Sequence, residues 1–207
     1  MIDWINGDVF GFAVERKEIG RPGGKPYYPL APDGTGRLHT TEGSTVAGAF
    51  AALADTRDAP HVIIGERRII QCRPLNVQAA ALHGGPVNCN KGPIQIEMVA
   101  CSKQELWLPE PGTLDPVVAF IAWCSANLEI PLAVPYDWPD DLSDCSRPLA
   151  AHNTRRQRFE ADWPSIPKGW YMHLETGWQG PTWHWDCGAI QRSEMIQRAR
   201  GFIVPGQ

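Results

Sequence analysis

Histidines are the residues of this sequence that most directly suggest chemistry. Six are present, at positions 39, 61, 83, 152, 173 and 184. Neutral imidazole is a common zinc ligand, and a catalytic zinc needs three nitrogen, oxygen or sulfur ligands plus one open position for water. Such ligands are usually held on strand ends, which fix their geometry. A single histidine is more often a hydrogen-bonded core or surface residue, so the surrounding sequence must decide which of the six bind a metal.

Cysteine is the other side chain that could bind a metal or act as a nucleophile. The six cysteines are scattered along the chain, at positions 72, 89, 101, 124, 145 and 187. No two of them lie close together, so the sequence indicates neither a CxxC zinc knuckle nor the disulfide framework of a small secreted domain. We expect most of these thiols to be reduced and several to be buried.

Composition limits the class of protein to which such chemistry can belong. The 207 residues, 43% of them hydrophobic, suffice for a substantial core, and we expect a single domain over 1–207. The formal net charge of -4 argues against the basic surface that nucleic acid requires. No stretch approaches the roughly 20 apolar residues that span a bilayer, and the N-terminus lacks the pattern of a signal peptide. We therefore expect a protein that is made in the cytoplasm, binds no nucleic acid and inserts into no membrane. We also expect it to be a monomer.

The segment around His39 predicts the end of a strand followed by a helix. Residues 2–36 are rich in glycine and proline, so we expect at most one short strand there and then a long surface connection. Residues 37–41 lead into the sequence GST, in which Ser44 or Thr45 can cap a helix through VAGAFAALA by accepting a backbone N–H. His39 is therefore expected at a strand end, just before this helix.

Three apolar runs after this helix predict strands. HVIIG and RRIIQCRPL are β-branched runs separated by Gly65 and Glu66, which is typical of a hairpin. IQIEMVA predicts a third strand, whose alternation places Gln95, Glu97 and Val99 on one face and the intervening apolar residues on the other. The pattern therefore predicts a hairpin and a third strand that carries Glu97.

Helical periodicity marks the second half of the chain. Apolar residues recur with a helical period over 114–128, a segment opened by Thr113 and Asp115 and stopped before Pro131. A short helix around NTRRQRFEADW, a strand at YMHLE and a last helix over 193–200 follow. This order of strands and helices predicts the α/β class, with a central mixed β-sheet flanked by helices.

Four segments, in this order, resemble those of the type-2 zinc amidases that share the peptidoglycan recognition protein fold. LHTTEGST resembles the first metal-ligand motif of that family, and PHVIIGERRIIQ resembles its histidine-containing hairpin. ALHGGPVNCNKGPIQIEMVA is similar to its segment of histidine, asparagine and strand, and MHLETGWQGPTWHWDCG to its second ligand histidine followed by a K/H-x-D-P-G element. The resemblance runs over about 37–200. Single pieces are weak motifs, but four in the right order indicate this family.

The resemblance implies a set of site residues. His39 and His173 become the two histidine ligands of a zinc ion and Asp186 the third, with one position left for a water that attacks an amide carbonyl. Glu97 matches the carboxylate that serves as general base and then protonates the leaving amine, although an exposed strand glutamate is the alternative. His184 matches the position at which relatives stabilise the developing oxyanion, with an ordinary surface histidine as its alternative.

Three further residues match positions of the family that do not bind the metal. His61 and His83 match histidines outside the usual ligand set, so the resemblance implies that they orient ligands and carboxylates by hydrogen bonds or face the substrate. Asn90 lies in the same segment as His83, where it is expected to bind substrate.

The sequence departs from the family pattern at three positions. Pro60 replaces a tyrosine that often precedes the hairpin histidine, and Gln95 replaces a glycine of the strand. Cys187 stands where the family has proline, and because thiolate is a good zinc ligand it competes with Asp186 for the metal. The family spacing to Gly188 favours Asp186.

The reaction that the resemblance implies is cleavage of the amide between N-acetylmuramic acid and L-alanine in bacterial peptidoglycan. The chain resembles a compact phage or prophage endolysin that reaches the wall by a holin-type route, and a host amidase that recycles cytoplasmic muropeptides fits less well. Two alternatives from other classes remain open. One is a non-catalytic peptidoglycan-binding module, and the other is a cysteine peptidase that uses Cys187 or Cys89 with a nearby histidine.

Overall fold

A mixed β-sheet organises the chain in the computed structural model, which describes residues 2–19, 28–30, 33–54, 59–81, 90–101, 107–109, 112–140, 150–176 and 190–203. Within these ranges seven strands form one sheet in the order β1-β2-β5-β4-β6-β3-β7. The strands are β1 (Asp8–Val9), β2 (Phe12–Arg16), β3 (Thr35–Thr40), β4 (Val62–Gly65), β5 (Arg68–Gln71), β6 (Ile94–Met98) and β7 (Gly169–Met172). The helices are α1 (Val46–Ala54), α2 (Leu114–Leu128), α3 (Ala150–Asp162), α4 (His173–Thr176) and α5 (Arg192–Arg200), with a short 3-10 helix at Pro135–Asp137. The predicted α/β class, with a mixed sheet flanked by helices, is confirmed.

Strand β3 lies between two parallel neighbours, β6 and β7. All six of its residues are buried, as expected for a strand covered on both faces. Strand β7 approaches β3 closely at Gly36, where an added Cβ atom would overlap the indole ring of Trp170. This contact requires glycine at position 36 and packs β7 tightly against β3.

One face of the sheet forms the main hydrophobic core. Its aliphatic residues, among them Leu38, Ile64 and Ile96, pack with buried residues of α2 and α5. Helix α2 has the bounds that its periodicity predicts, and its buried side chains run from Pro116 to Cys124. No helix within the described residues is long and apolar enough to cross a membrane.

The other face carries polar residues between two smaller apolar clusters. Ile63 packs with α1 in one cluster, and Tyr171 packs with Phe159 of α3 in the other. The strand register places Arg37 beside both Tyr171 and Gln95, so these side chains point to the same face. This face contains the candidate functional residues.

Two predictions near the helix α1 and the hairpin are tested directly by the structure. Thr45 caps α1, because its Oγ1 accepts the backbone N–H of Gly48 at 3.0 Å. Strands β4 and β5 form the predicted antiparallel hairpin. Its two turn residues are Glu66 and Arg67, with φ of 50° and 57°, so the turn lies one residue later than predicted.

The expectation of at most one short strand within residues 2–36 is wrong. Strands β1 and β2 form an antiparallel hairpin there, joined by Phe10 and Gly11, which both have positive φ. Strand β2 also pairs in parallel with β5, a strand more than 50 residues away. These partners supply backbone hydrogen bonds that the local abundance of glycine and proline does not reveal.

Two elements of the C-terminal half differ in extent from the prediction. Helix α3 spans Ala150–Asp162 and is longer than the short helix expected around NTRRQRFEADW. The strand predicted at YMHLE ends at Met172, and the chain continues as the short helix α4. The physical reason is a hydrogen bond of 2.9 Å that the N–H of Met172 donates to the carboxylate of Glu175. This bond turns the chain away from the sheet after Met172.

Candidate functional site

His39 and Glu97 are cross-strand partners on β3 and β6. Each is the second-to-last residue of its strand, and paired residues of parallel strands point to the same face. The His39 Nδ1 atom lies 3.9 Å from Glu97 Oε1, with the His39 side chain fully buried and Glu97 13% exposed. The sheet thus holds an imidazole beside a partly accessible carboxylate at the carboxyl ends of its strands, where ligand sites of α/β sheets form.

His173 joins this pair from the other side of β3. The register of β3 with β7 ends at Leu38 and Met172, so the next residue of each segment is a histidine. The Nδ1 atoms of His39 and His173 lie 3.0 Å apart, and their ring centroids lie 4.6 Å apart at an interplanar angle of 60°. Two imidazoles and one carboxylate therefore converge from three neighbouring segments of the sheet.

The spacing of the two imidazole nitrogens fits a shared zinc ion. Two nitrogens bound to a tetrahedral zinc at about 2.0–2.1 Å stand roughly 3.3 Å apart. The observed 3.0 Å separation of the Nδ1 atoms is close to that value, and it is also compatible with one proton held between the rings. Among the residues that the structure describes, no group of three or more histidine, cysteine, aspartate or glutamate side chains is arranged as a metal site.

Three of the predicted site residues, His83, His184 and Asp186, lie outside the described residues. The same holds for Cys187, the rival ligand, and for Cys89. The zinc site as a whole, with its three ligands and its oxyanion partner, accordingly stays a prediction.

His61 lies in the interior of the sheet, immediately before β4. Its Nδ1 accepts the backbone N–H of Gln95 at 2.9 Å, and its Nε2 donates to the carbonyl of Val77 at 2.9 Å. Burial lowers the pKa of His61 to about 4, the Val77 hydrogen bond opposes this, and the Arg73 charge adds to it. The ring is therefore neutral near pH 7 and ties β4 to β6 two residues before Glu97.

Asn90 is linked to the same strand through Gln95. The Oδ1 atom of Asn90 accepts a hydrogen bond from Gln95 Nε2 at 2.8 Å. Gln95 is fully buried and shares the strand face of Glu97. Gln95 thus contacts both Asn90 and His61, and substrate binding by Asn90 stays a prediction.

The fold of the chain is similar to that of a solved hydrolase. The crystal structure of Staphylococcus aureus hydrolase AmiA in complex with its ligand matches 97% of this chain and 89% of its own, with a TM-score of 0.53 at 12% sequence identity. The chain has the AmiA fold.

Two other solved structures are similar to a smaller part of the chain. The catalytic domain of PlyG matches 58% of this chain and 74% of its own, with a TM-score of 0.47 at 18% identity. A mutant endolysin from Bacillus subtilis matches 58% of this chain and 80% of its own, with a TM-score of 0.45 at 20% identity. No protein-family model and no curated protein matches the sequence.

Arg37 is a residue beside the site that sequence reasoning missed. It is fully buried on the site face of β3, two residues before His39. Its guanidinium lies 4.5 Å from the ring centroid of Tyr171 and 5.3 Å from that of Phe159. The period of two along β3 could have placed Arg37 on the same face as His39.

A buried ion cluster next to His173 was also missed. Glu175 lies between Arg155 and Arg192, which come from α3 and α5. Glu175 is 20 positions from Arg155 and 17 from Arg192 in the sequence, and no local pattern indicates that they meet. Only the packing of three helices brings them together.

Proposed function

We propose that the protein is a zinc-dependent peptidoglycan hydrolase, an N-acetylmuramoyl-L-alanine amidase of the phage or prophage endolysin type. The observation that carries the proposal is the convergence of His39, His173 and Glu97 at the carboxyl ends of β6, β3 and β7. The shared fold with AmiA, a hydrolase, supports hydrolytic chemistry. In this role the enzyme acts as one catalytic domain on the bacterial wall, after release by a holin-type route.

His39 and His173 are the residues that would hold the zinc ion, and Asp186 is the proposed third ligand. The two Nδ1 atoms are 3.0 Å apart and both side chains are almost fully buried, so they require little rearrangement to share a metal. Zinc supplies a Lewis acid that polarises the scissile carbonyl and lowers the pKa of water.

Glu97 is the proposed general base. Its carboxylate retains access to solvent, and β6 holds it 3.9 Å from His39 Nδ1. It takes a proton from the attacking water, whose oxygen forms the new bond to the carbonyl carbon. When the amide C–N bond breaks, the same carboxyl group returns the proton to the leaving L-alanine nitrogen. The products are the lactyl carboxylate of muramic acid and a free amino terminus.

The remaining predicted residues have supporting roles in this proposal. His184 donates a hydrogen bond or positive charge to the developing oxyanion. His83 and Asn90 bind the substrate. His61 keeps β6, and with it Glu97, in register through its hydrogen bonds to Gln95 and Val77.

The described cysteines do not favour the alternative of a cysteine peptidase. Burial raises the pKa of the Cys72 thiol to about 12 and raises that of Cys124 well above its usual value. Burial also raises the pKa of Cys101, and a thiol with a raised pKa is a poor nucleophile. Cys89 and Cys187, the cysteines of that alternative, lie outside the described residues.

Chelation and alkylation on purified peptidoglycan distinguish these activities. We expect a strong chelator to abolish release of stem peptides with free N-terminal L-alanine, detected by mass spectrometry, and zinc to restore it. Alkylation of the thiols should leave the activity largely intact. An activity that survives metal removal and is lost on alkylation would establish the cysteine enzyme instead, and binding of peptidoglycan without any product would establish a binding module.

A further inference from the structure

The ion cluster of Glu175, Arg155 and Arg192 lies directly beside the segment that carries His173. Glu175 is fully buried, and its Oε1 accepts a hydrogen bond from Arg155 Nη1 at 3.1 Å. Its Oε2 accepts a hydrogen bond from Arg192 Nη1 at 2.6 Å. Arg192 is fully buried and Arg155 is 6% exposed. One carboxylate therefore joins α3, α4 and α5 in a water-poor environment.

The cluster also binds the backbone on which His173 stands. Glu175 Oε2 accepts the N–H of Met172, the residue before His173, at 2.9 Å. Arg192 Nη1 donates to the carbonyl of Trp170 in β7 at 3.2 Å. The hydroxyl of Thr176 adds a contact of 3.3 Å to the carbonyl of His173. The backbone is thus held immediately before and after the imidazole.

Local structure alone cannot hold His173 in this position. Helix α4 has four residues, and a single helical turn has too few internal hydrogen bonds to be stable by itself. His173 is its first residue, at the point where the chain leaves the sheet, so the direction of the ring depends on how that turn is anchored. Buried ion pairs are a poor source of stability compared with apolar packing, which favours a role in specifying geometry.

We propose that Glu175, clamped by Arg155 and Arg192, is a positioning residue that sets the imidazole of His173 for metal binding. The inference rests on the proposed zinc site and adds to it a determinant of metal affinity that does not touch the metal. Groups that orient a ligand in this way typically change metal affinity by roughly 10- to 100-fold when they are mutated.

Glu175→Gln is the most informative variant, because it keeps the size of the side chain and removes its charge. Gln71→Ala is a matched control for the loss of a buried polar group. The Gln71 amide is buried, donates to the carbonyls of Asp3 and Arg73 at 2.8 and 3.0 Å, and accepts the N–H of Ile5 at 2.9 Å. Strands β4 and β6 separate its strand from β3.

The experiment measures zinc affinity by competition with a chromophoric chelator and the absorption spectrum of the cobalt-substituted protein. Both are recorded well below the Tm of each variant. Glu175→Gln should bind zinc about 10- to 100-fold more weakly and show shifted cobalt bands. Gln71→Ala should lower Tm but keep the wild-type affinity and spectrum.

Wild-type affinity and an unchanged cobalt spectrum in folded Glu175→Gln would overturn the inference. If that variant does not fold, Arg155→Gln serves instead, because it removes the 3.1 Å ion pair with Glu175, together with the guanidinium contact 5.5 Å from the Trp138 ring centroid, and leaves Arg192 paired. Reduced zinc affinity in folded Arg155→Gln supports the inference, and wild-type affinity refutes it. A wild-type protein that binds no zinc refutes the proposed function itself. A wild type that binds zinc, together with a Glu175→Gln variant of equal zinc affinity, refutes this inference alone.

Discussion

The Nδ1 atoms of His39 and His173 face each other at 3.0 Å, although the two residues are separated by 134 positions in the sequence. His39 is held on β3 by pairing with strands on both sides. His173 begins a one-turn helix that is anchored by Glu175. The pair therefore combines one histidine on a strand with one on a short helix beside a buried ion cluster.

Glu97→Gln tests the role of the carboxylate beside this pair. Loss of a general base typically costs about 10²- to 10⁴-fold in rate, so we expect kcat to fall by that amount. Zinc content and Tm should change little, because Glu97 is partly exposed and is not a proposed ligand. Rates on purified peptidoglycan and metal analysis of the same samples provide the measurement.

Glu15→Gln is the matched control for this prediction. Glu15 is also a strand glutamate, on β2, and its side chain is 39% exposed. It should keep the wild-type rate. Equal rates for wild type and Glu97→Gln would remove Glu97 from the catalytic machinery.

The buried His61 predicts a loss of stability in mild acid. Its pKa is about 4 in the folded protein against the ordinary histidine value of 6.5, so the unfolded chain binds the proton more tightly. Its contribution is fully present above the unfolded pKa and is lost as the pH falls through the folded pKa. The free energy of unfolding therefore falls by about 3 kcal/mol between about pH 7 and about pH 4 through His61 alone.

Urea unfolding of wild type and His61→Gln at both pH values isolates this contribution. The variant should be less stable near pH 7, and its free energy of unfolding should depend less on pH over the same interval. Parallel pH profiles for the two proteins would mean that His61 is not neutral and buried in solution.

The contact between Gly36 and Trp170 predicts that the packing of β3 on β7 tolerates no added side chain. Gly36→Ala would place a methyl group within the fully buried indole ring, so Trp170 must move. Overpacking of this kind typically costs about 1–3 kcal/mol. Denaturant unfolding should show that loss for Gly36→Ala and little change for Gly43→Ala, whose new methyl meets only ordinary contacts at 3.7 Å and beyond. Similar stabilities of the two variants would contradict the packing described at β3.

Local patterns predicted the elements that carry the site. Alternation along IQIEMVA placed Glu97 on the face opposite to Ile96, and the structure bears this out. The Thr45 cap and helix α2 were also predictable, since each depends on residues within one or two turns. The proximity of His39 and His173 was implied by family resemblance, because the pairing of β3 with β7 is not encoded locally.

Long-range pairing accounts for what could not be predicted. Strand β2 forms against β5, whereas the glycine and proline content of residues 2–36 had indicated mostly a surface connection. The pattern YMHLE predicted a strand that includes Glu175. The buried position of Glu175 in a short helix depends on Arg155 and Arg192, which lie on two other helices. In both cases the hydrogen-bond partners come from distant segments that only the folded chain brings together.

Zinc stoichiometry tests the central claim most directly. Metal analysis of purified wild type and of His39→Ala, His173→Ala and Asp186→Ala, with Gln71→Ala as a folded control, should show one zinc per chain in wild type and control. We predict that zinc is lost from the two histidine variants, with parallel loss of amidase activity, and that Asp186→Ala is depleted as well. Wild-type zinc content in folded His39→Ala and His173→Ala would contradict the account, because the 3.0 Å histidine pair would then not be a metal site.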